Sequence, residues 1–562
     1  MIKRDLVGLC ACRYDLVIVG GGITGAAIAW DASLRGLKVA LIERQDFGAA
    51  TSANSLKTVH GGLRYLQDGS FRLVRTMMKE RQALLRIAPH LVHPLPVIMC
   101  TLKNELMRSK LLLGTAVRFN DMLCFDRNTG MGPSHSLPDS RILSRQETEG
   151  IITGIDGRNL TGSVLWYDAQ VYNTERLLLS FVLSAAGMGA RVANYVRATG
   201  FLRKGNSVSG ITATDELTGN LLEIQGQMVV NAAGPWVDEL LSELGAPDSR
   251  AHFTFSTAMN LVTRQILPDY AMGLTSYYAQ PLPDGSTRER SRVLFIAPWR
   301  NYSLVGTLHA PYDGCPGDRW VTERAVIDFI DELNRAYPGA RLRRSEVYRV
   351  HQGLLPMTPK KSDPMAVKLL REGKMTDHSL ENGIDGLITA VGVKYTSARY
   401  LAQKTVDLVF KKLKRNSPVC RTRQFPLFGG NISHYESYAA GSIERWPVKI
   451  PLYQVKRLIR NYGSDHFRLL PYFMMDENWR EPVSADAAIT RAEVLYAVRE
   501  EMAEHLSDVL MRRTEMGSAC MPDQRALEET ASIMAKEKGW DRMRIRSELD
   551  NVCREYSISE NG

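Results

Sequence analysis

A glycine-rich turn close to the N-terminus restricts the fold of this chain more than any other feature. The run DLVIV, residues 15–19, predicts a buried parallel strand, and it leads into residues 20–25, which match G-x-G-x-x-G. Residues 26–35 are apolar at helical spacing, and residues 38–43 predict a second strand. Strand, glycine turn, helix and strand in this order predict a βαβ unit that binds a dinucleotide at the start of its helix.

Each position of the turn has a physical task. Gly20 allows the tight turn, Gly22 lets a pyrophosphate approach the backbone, and Gly25 lets the helix pack closely on the strand. Glu43 ends the second strand, where a carboxylate can accept hydrogen bonds from ribose hydroxyls. The candidate cofactor contacts of this unit are Gly20, Gly22, Ile23, Thr24, Gly25, Glu43 and Arg44.

The unit by itself does not distinguish FAD from NAD, but two later segments favour FAD. Residues 45–55 are mostly small and suit close backbone contact with a bulky ligand. Residues 228–236 predict a strand that runs into a second small-residue turn, as a long FAD crossing its domain requires. These segments add Thr51, Ser52, Asn54, Ala233 and Gly234 to the candidate cofactor contacts.

The stretch NSLKTVHGGLRYLQ, residues 54–67, places cations and a hydroxyl around bare glycine backbone. Its polar side chains are Lys57, His60, Arg64 and Tyr65, and its glycines are Gly61 and Gly62. A histidine can act as a base near neutral pH, and it can equally be a hydrogen-bonded structural residue. For Lys57 a surface position and a cofactor contact are both open.

At this point the chain resembles the FAD-dependent glycerol-3-phosphate dehydrogenases, within the D-amino-acid-oxidase-like flavoproteins. The resemblance covers most of the chain and rests on the glycine unit, ATSANSLKTVHGGLRYL, VNAAGPWV, GVKYTSARYLAQ and a C-terminal helical segment. The strings HGGLRYL and DVLMRRT are specific to this family.

The resemblance implies that residues 54–67 run beside the flavin ring, between cofactor and substrate. His60 is then the candidate proton acceptor, Arg64 and Tyr65 bind substrate, and Gly61 and Gly62 let the ring come close. A second segment, residues 392–403, implies contacts at the pyrimidine end of the flavin. There the candidates are Gly392, Lys394, Tyr395 and Thr396, with Lys394 also expected to take part in catalysis, because a cation stabilises negative charge on a reduced flavin.

The implied reaction is the oxidation of sn-glycerol 3-phosphate to dihydroxyacetone phosphate, with hydride transfer to flavin N5. The implied acceptor of the electrons is a membrane quinone or another acceptor. Two alternatives stay open: the same flavin chemistry on a different secondary alcohol or amine, and a flavin-binding protein without turnover.

Departures from the family pattern motivate the first alternative. Leu355 stands where the family carries a phosphate-binding arginine, and a second arginine is missing in the simplest alignment. Met259 and His309 also replace residues that are expected in the substrate pocket. The residues that could compensate for the lost charge are Arg64, His309, His351, Arg349, Lys368 and Arg371.

The composition of the chain restricts the kinds of partner that it is expected to bind. The chain has 71 Lys and Arg against 61 Asp and Glu, a net charge of +10, yet it shows no basic recognition helix or aromatic RNA motif, so nucleic acid is not expected. Its eight cysteines are scattered without a C-x-x-C pair, which predicts no metal site and a cytoplasmic location. Leucines and basic residues interleave over residues 106–125, a pattern compatible with a core helix or with peripheral contact on the inner face of the membrane.

The predicted fold class is α/β. A Rossmann-like FAD-binding domain is interleaved with an antiparallel-sheet substrate domain over residues 1–430, and a C-terminal all-α domain occupies residues 434–562. Residues 293–307 predict a hairpin of the substrate sheet. Apolar residues at helical spacing predict one continuous helix through the segment that contains Val494, Leu495, Val498, Met502 and Leu506.

Overall fold

The computed structural model describes residues 2–103, 105–244, 253–281, 286–358 and 367–558. Its strands, in chain order, are β1 Arg13–Val19, β2 Val39–Ile42, β3 Thr58–Val59, β4 Val92–Leu102, β5 Arg141–Leu143, β6 Leu160–Val171, β7 Arg191–Ala193, β8 Val196–Lys204, β9 Ser207–Asp215, β10 Leu221–Asn231, β11 Thr254–Arg264, β12 Ala271–Pro281, β13 Thr287–Trp299, β14 Tyr302–Tyr312, β15 Val347–Met357, β16 Lys374–Asp377 and β17 Leu387–Val391.

The helices, in the same order, are α1 Leu6–Cys10, α2 Ile23–Leu34, α3 Phe71–Ile87, α4 Lys110–Leu123, α5 Arg145–Ile151, α6 Thr174–Gly187, α7 Val237–Ser242, α8 Glu323–Ala336, α9 His378–Glu381, α10 Ala398–Lys412, α11 Tyr435–Glu444, α12 Leu452–Tyr462, α13 Leu470–Phe473, α14 Arg491–Glu500, α15 Leu506–Asp508, α16 Gln524–Lys538 and α17 Arg542–Tyr556. None of these helices is long and apolar enough to cross a membrane.

The first sheet contains the predicted βαβ unit. Its strands run in the order β16-β17-β10-β1-β2-β7, with the β8–β9 hairpin joined through β9 to β10. The five strands from β17 to β7 are parallel, so their carboxyl ends meet at one edge. Helix α2 is almost wholly buried, with Trp30 edge-on to Phe181 of α6. The continuous apolar character of β1 and α2 follows from burial on both faces.

The second sheet has the order β15-β11-β14-β13-β12-β4-β6-β3, with β5 beside β6. Its pairs are antiparallel except for β12 and β4. The predicted hairpin over residues 293–307 is confirmed as β13 and β14. Helix α8 packs the apolar face that contains Phe329 and Leu333 on this sheet, beside Leu294 and Ile296.

The chain alternates between the two sheets. It builds β1 and β2 in the first, β3–β6 in the second, β7–β10 in the first, β11–β15 in the second, and β16 and β17 in the first again. This alternation confirms the predicted interleaving. Residues of both sheets, among them Val19 of β1 and Ala258 of β11, line one cavity.

The C-terminal part is helical from Tyr435 onward, with no strand among its described residues. The division of the chain at residues 430–434 stays a prediction. The predicted continuous helix is wrong, because α14 ends at Glu500 and Met502 has a φ of 56°. Two outside contacts account for the break: Glu501 accepts a hydrogen bond of 2.7 Å from Arg176, and the Met502 carbonyl accepts one of 2.9 Å from Asn194.

Candidate active site

A cavity of about 400 Å³ opens where the carboxyl ends of the parallel strands face the second sheet. Ligands of open α/β sheets bind at this edge. Most of the candidate residues that the sequence singled out line the cavity: Gly20, Gly22, Ile23, Thr24, Glu43, Arg44, Thr51, Ser52, Asn54, Lys57, His60, Ala233, Gly234, Gly392, Lys394, Tyr395 and Thr396. The remaining candidates, Gly25, Gly61, Gly62, Arg64 and Tyr65, lie behind or beside it.

The glycine turn has the geometry that its sequence predicts. Gly20 has a φ of 107°, and a Cβ on Gly25 would lie 1.9 Å from the Gly20 carbonyl oxygen, so neither position tolerates a side chain. A Cβ on Gly22 would meet only Ser52 Oγ, at 3.3 Å. Gly22 is therefore bare toward the cavity, which is the condition for close approach of a phosphate group.

On one wall of the cavity, the start of α2 presents backbone N–H groups and the end of β2 is followed by a carboxylate. Gly22 gives α2 no side-chain cap, and the Ile23 N–H donates to Ser52 Oγ at 3.0 Å. The Glu43 carboxylate accepts hydrogen bonds from the backbone N–H groups of Gly21 and Gln45, at 2.7 and 2.9 Å. Burial raises the pKa of Glu43, and these two hydrogen bonds oppose the rise. The residues present fit FAD: an anion-accepting helix start, a bare glycine and an oriented carboxylate for a ribose.

Arg44 marks the outer end of the same wall. Its guanidinium lies 4.9 Å from the centre of the Trp236 ring, and its Nη1 is 3.6 Å from a carboxylate oxygen of Glu239. Both neighbours also line the cavity. Attraction between the guanidinium and the indole ring holds Arg44 at the edge of the opening.

The turn after β17 closes the opposite end. A Cβ on Gly392 would lie 2.4 Å from Thr24 Oγ1, so the turn approaches α2 too closely for any larger residue. Thr396 is buried, and the Tyr395 hydroxyl donates to the Thr174 carbonyl at 2.9 Å. The Tyr395 hydroxyl is thus used within the protein, and its ring is what faces the cavity.

Lys57 is a buried residue, so the surface alternative for it is wrong. Its ammonium donates to Glu175 Oε1 and Thr174 Oγ1, both at 2.7 Å, and to the Ala53 carbonyl at 3.1 Å. Burial lowers the pKa of Lys57, and the Glu175 carboxylate opposes this. Lys57 therefore holds the loop that carries Thr51–Asn54 from behind.

The same loop is joined to the second sheet. Thr51 Oγ1 donates to the Leu354 carbonyl at 3.2 Å and accepts from the Leu354 N–H at 3.1 Å. The Asn54 carbonyl accepts from Asn260 Nδ2 at 3.5 Å, and Thr307 donates to Asn260 at 2.7 Å. These contacts fix the distance between the cofactor wall and the substrate wall.

His60 lies on the substrate side of the cavity with a defined partner. The register of β3 against β6 pairs Val59 with Ala169, which brings His60 next to Asp168. The His60 Nδ1 atom is 3.1 Å from Asp168 Oδ2, while the side chain is 43% exposed and its ring centre lies 5.5 Å from that of Phe295. The other ring nitrogen, Nε2, is the one left for a ligand.

Gly61 and Gly62, which follow His60, are each required to be glycine for a different reason. A Cβ on Gly61 would lie 2.2 Å from Arg81 Nη1. Gly62 has a φ of 88° and precedes the 3-10 turn Leu63–Leu66, which carries Arg64 and Tyr65.

Two cations, Arg64 and Lys394, lie near each other and beside Tyr65, and Lys394 lines the cavity. Arg64 is exposed, and no carboxylate in the described part of the chain pairs with it. Lys394 Nζ lies 4.6 Å from the centre of the Tyr65 ring and donates to the Arg371 carbonyl at 2.6 Å. Burial lowers the pKa of Lys394 to about 8, the charge of Glu372 opposes this, and the charges of Arg64 and Arg371 act in the same direction as burial. An anion here would meet one free guanidinium and one ammonium.

The positions that depart from the family pattern do not all lie at the cavity. Leu355 lines the cavity, as predicted. The placement of Met259 in the pocket is wrong, since it is buried in the hydrophobic core of the second sheet. His309 does not line the cavity, and its Nδ1 lies 3.0 Å from the Thr257 carbonyl.

Two of the residues expected to replace lost charge point elsewhere. Arg349 donates to the Gly517 carbonyl at 2.5 Å, and His351 Nε2 lies 3.4 Å from the Ser518 carbonyl, so both contact the connection that precedes α16. Lys368 is exposed. Arg371 stays near the mouth, where its guanidinium pairs with Asp68 at 2.9 Å.

Sequence reasoning assigned no role in the site to Arg81 or Asp168. Asp168 contacts His60 and the Gly61 N–H, and Arg81 donates to Asp168. Arg81 lies in the middle of α3, where a single arginine among other charged residues carries no local signal.

Comparison with known proteins defines the class. The family described as FAD dependent oxidoreductase matches residues 15–408, and the family described as the C-terminal domain of alpha-glycerophosphate oxidase matches residues 420–545. The chain is therefore a flavoprotein oxidoreductase that uses FAD, in agreement with the cavity.

Two relatives narrow the class further. A glycerol-3-phosphate dehydrogenase of Synechocystis sp. is 32% identical over 509 residues, which covers 89% of this chain and 88% of that protein. The mitochondrial glycerol-3-phosphate dehydrogenase of Schizosaccharomyces pombe is 30% identical, covering 94% of this chain and 85% of its own length. This chain belongs to the glycerol-3-phosphate dehydrogenase family of FAD-dependent oxidoreductases.

A solved structure shares the whole fold. The glycerol-3-phosphate dehydrogenase of Bacillus halodurans, solved in complex with FAD, has a TM-score of 0.75 at 24% identity. The match covers 99% of this chain and 97% of the other. The predicted fold class and C-terminal helical region are confirmed by this agreement.

Proposed function

We propose that this chain oxidises sn-glycerol 3-phosphate to dihydroxyacetone phosphate. The observation that carries the proposal is that His60, oriented by Asp168, and Lys394 both line the FAD cavity, and that a second cation, Arg64, lies near Lys394. The relatives named glycerol-3-phosphate dehydrogenase support this substrate. No comparison favours another alcohol or an amine.

The proposed phosphate-binding residues are two cations, Arg64 and Lys394. Arg64 offers a planar fork of donors that matches a phosphate, and it has no competing carboxylate among the described residues. Lys394 adds a second positive charge beside Tyr65. Because Leu355 is apolar, it adds no cation, and the phosphate depends on Arg64 and Lys394 in this enzyme, with Arg371 adjacent.

The cofactor residues hold FAD along the opposite wall. Gly20, Gly22 and the start of α2 take the pyrophosphate, and Glu43 takes a ribose. Bound FAD supplies the acceptor for the hydride that leaves the substrate carbon. His60 takes the hydroxyl proton, and Gly392 and Thr396 bring backbone close to the far end of the cavity.

The electron acceptor is a quinone, reached by peripheral contact with the inner face of the cytoplasmic membrane. Support comes from α4 and the turn before it, which expose large apolar side chains beside basic ones. Leu106, Leu111 and Phe125 are 81%, 82% and 79% exposed. The exposed cations Lys110 and Arg118 lie in the same segment. An apolar face bordered by cations suits an anionic lipid surface.

Sedimentation with vesicles that contain anionic lipid tests this contact. Leu111→Glu should reduce the bound fraction strongly, because it places a negative charge in the apolar face. Leu380→Glu is the matched control, since Leu380 is 83% exposed on a different helix. Equal binding of both variants and the unaltered protein would refute the assignment of α4 to the membrane.

Steady-state turnover with an artificial electron acceptor tests the substrate. Glycerol 3-phosphate should support turnover, and glycerol, which lacks the phosphate, should do so only at much higher concentration. Turnover on neutral polyols or amines but not on glycerol 3-phosphate would contradict the proposal and give Leu355 a direct role in substrate choice.

A further inference from the structure

The carboxylate of Asp168 contacts three nitrogen atoms that come from two separate segments, the stretch His60–Gly61 and helix α3. Its Oδ1 atom accepts hydrogen bonds from the Gly61 N–H at 2.7 Å and from Arg81 Nη1 at 2.8 Å. Its Oδ2 atom faces His60 Nδ1 at 3.1 Å. Asp168 lies in β6 and is buried, so water does not compete for these contacts.

Arg81 is fixed as firmly as the carboxylate. It is 3% exposed in α3, and its Nη1 also donates to the Tyr167 carbonyl at 2.7 Å. Burial alone would raise the pKa of Asp168, but the hydrogen bond with His60, the charge of Arg81 and the Gly61 N–H hold it below its usual range. An ionised carboxylate beside Nδ1 can only accept a hydrogen bond from that nitrogen.

We propose that Asp168, clamped by Arg81, is a positioning residue that keeps His60 protonated on Nδ1, so that Nε2 is the atom that accepts the substrate proton. The inference deepens the proposed function and rests on it. No part of Asp168 or Arg81 lines the cavity, so both act through His60.

Two bonds to hydrogen break in the substrate, the O–H bond and the C2–H bond. Nε2 takes the proton of the C2 hydroxyl, the O–H electron pair becomes the second bond of the new carbonyl, and the C2 hydrogen leaves as hydride to oxidised FAD. His60 becomes an imidazolium whose positive charge lies against the Asp168 carboxylate. The substrate loses two electrons and two hydrogens in total, which is the change from a secondary alcohol to a ketone.

The geometry makes Asp168→Asn an informative variant. The amide oxygen of the new side chain would take the position of Oδ1, because Gly61 and Arg81 both donate there. Its NH₂ group would then face His60 Nδ1 and donate to it. The proton of His60 would move to Nε2, and that atom could no longer accept a proton from the substrate.

The test is anaerobic stopped-flow reduction of the FAD-loaded enzyme by glycerol 3-phosphate across pH, together with nitrogen NMR of the enzyme labelled in histidine. Asp168→Asn should lower the reduction rate by roughly 100-fold or more, as expected for loss of a general base. Its FAD content and substrate affinity should stay unchanged. The NMR signal of His60, assigned with His60→Gln, should show the proton on Nδ1 in the unaltered enzyme and on Nε2 in Asp168→Asn.

Arg81→Met tests the clamp. Without the guanidinium, the carboxylate keeps only the Gly61 N–H and His60 as partners and stabilises an imidazolium more strongly, so the pH at which the reduction rate reaches half its maximum should move upward. Arg75→Met is the matched control, because Arg75 lies on the same helix and pairs with Asp126 near the surface at 2.5 Å. Its pH profile should be unchanged.

The outcomes separate the two proposals. Reduction of Asp168→Asn at the unaltered rate and pH profile would overturn the inference while leaving the proposed function intact. A proton on His60 Nε2 in the unaltered enzyme would overturn it as well, even if Asp168→Asn does not fold. Failure of glycerol 3-phosphate to reduce the unaltered enzyme would instead contradict the proposed function.

Discussion

Asp46 and Arg513 meet as a fully buried ion pair, with Asp46 Oδ2 2.6 Å from Arg513 Nη1 and 467 positions of chain between them. Arg512 binds the same carboxylate at 2.7 Å, and Asn194 donates to it at 3.0 Å. Although burial opposes ionisation, the two arginines hold the pKa of Asp46 well below its usual range. The pair joins the loop behind Glu43 to the C-terminal helices, so the cofactor wall and the C-terminal region share one electrostatic contact.

Arg513→Met should therefore destabilise the protein by about 3 kcal/mol or more, because it removes one partner of a buried carboxylate. The measurement is thermal unfolding of the FAD-loaded protein. Arg158→Met, which breaks an exposed pair with Asp156, should leave the melting temperature unchanged. Equal melting of both variants would show that the buried pair adds nothing to stability.

Gly22→Val should remove FAD without unfolding the chain. The φ of Gly22 is −71°, which any residue adopts, and its Cβ direction faces the cavity. A branched side chain there occupies the space that the pyrophosphate needs. The yellow colour of the purified protein and its circular dichroism are the readouts. Gly25→Ala is the contrast, since its methyl group would meet the Gly20 carbonyl and disturb the fold itself. Full retention of FAD by Gly22→Val would refute the loop assignment.

Arg64→Ala should lower kcat/KM for glycerol 3-phosphate by about 10- to 100-fold, the loss expected when one charge-assisted hydrogen bond to phosphate disappears. FAD content should be unaffected, because Arg64 does not line the cofactor cavity. The exposed Arg72 on α3 provides the control variant Arg72→Ala, for which we expect unaltered kinetics. Unaltered kinetics of Arg64→Ala would remove Arg64 from the substrate site.

The free energy of unfolding should fall as the pH drops below about 6.5. Burial, with the charges of Arg176 and Arg460, lowers the pKa of His90 to about 3, and burial also lowers those of His93 and His135. Below pH 6.5 the unfolded chain takes up protons that the folded chain does not. Each such histidine then costs about 1.4 kcal/mol per pH unit until its folded pKa is reached.

Urea unfolding at a series of pH values measures this loss. His90→Gln should flatten the slope between pH 6.5 and 5 by about 1.4 kcal/mol per unit, since one titrating group is gone. His434→Gln, at an exposed position, should leave the slope unchanged. An identical slope in both variants would show that His90 does not set the acid limit.

Local patterns allowed much of the fold to be predicted. The strand and helix of the glycine unit, the strand before Ala233, the turn at Gly392 and the hairpin of β13 and β14 all follow from short-range periodicity and turn chemistry. Residues of the cofactor wall were found because close backbone approach to a phosphate restricts sequence within a few positions. These are signals that a single segment carries by itself.

The remaining features depend on contacts between distant segments. His60 and Asp168 meet through the register of β3 on β6, and Met259 points into a core instead of a pocket because of the register of β11. Sequence periodicity extends helix α14 past Glu500. The helix is interrupted there because Arg176 and Asn194 bind the two residues that follow, Glu501 and Met502. Apolar spacing specifies that a face is buried, but it does not specify which surface covers that face.

The central claim is that this FAD cavity oxidises glycerol 3-phosphate, and the flavin spectrum of the purified protein tests it most directly. The absorbance is recorded without oxygen before and after addition of glycerol 3-phosphate. Rapid bleaching of the oxidised band is the predicted result, with Arg64 and Lys394 holding the phosphate. An unchanged spectrum from flavin that dithionite still reduces would contradict the claim.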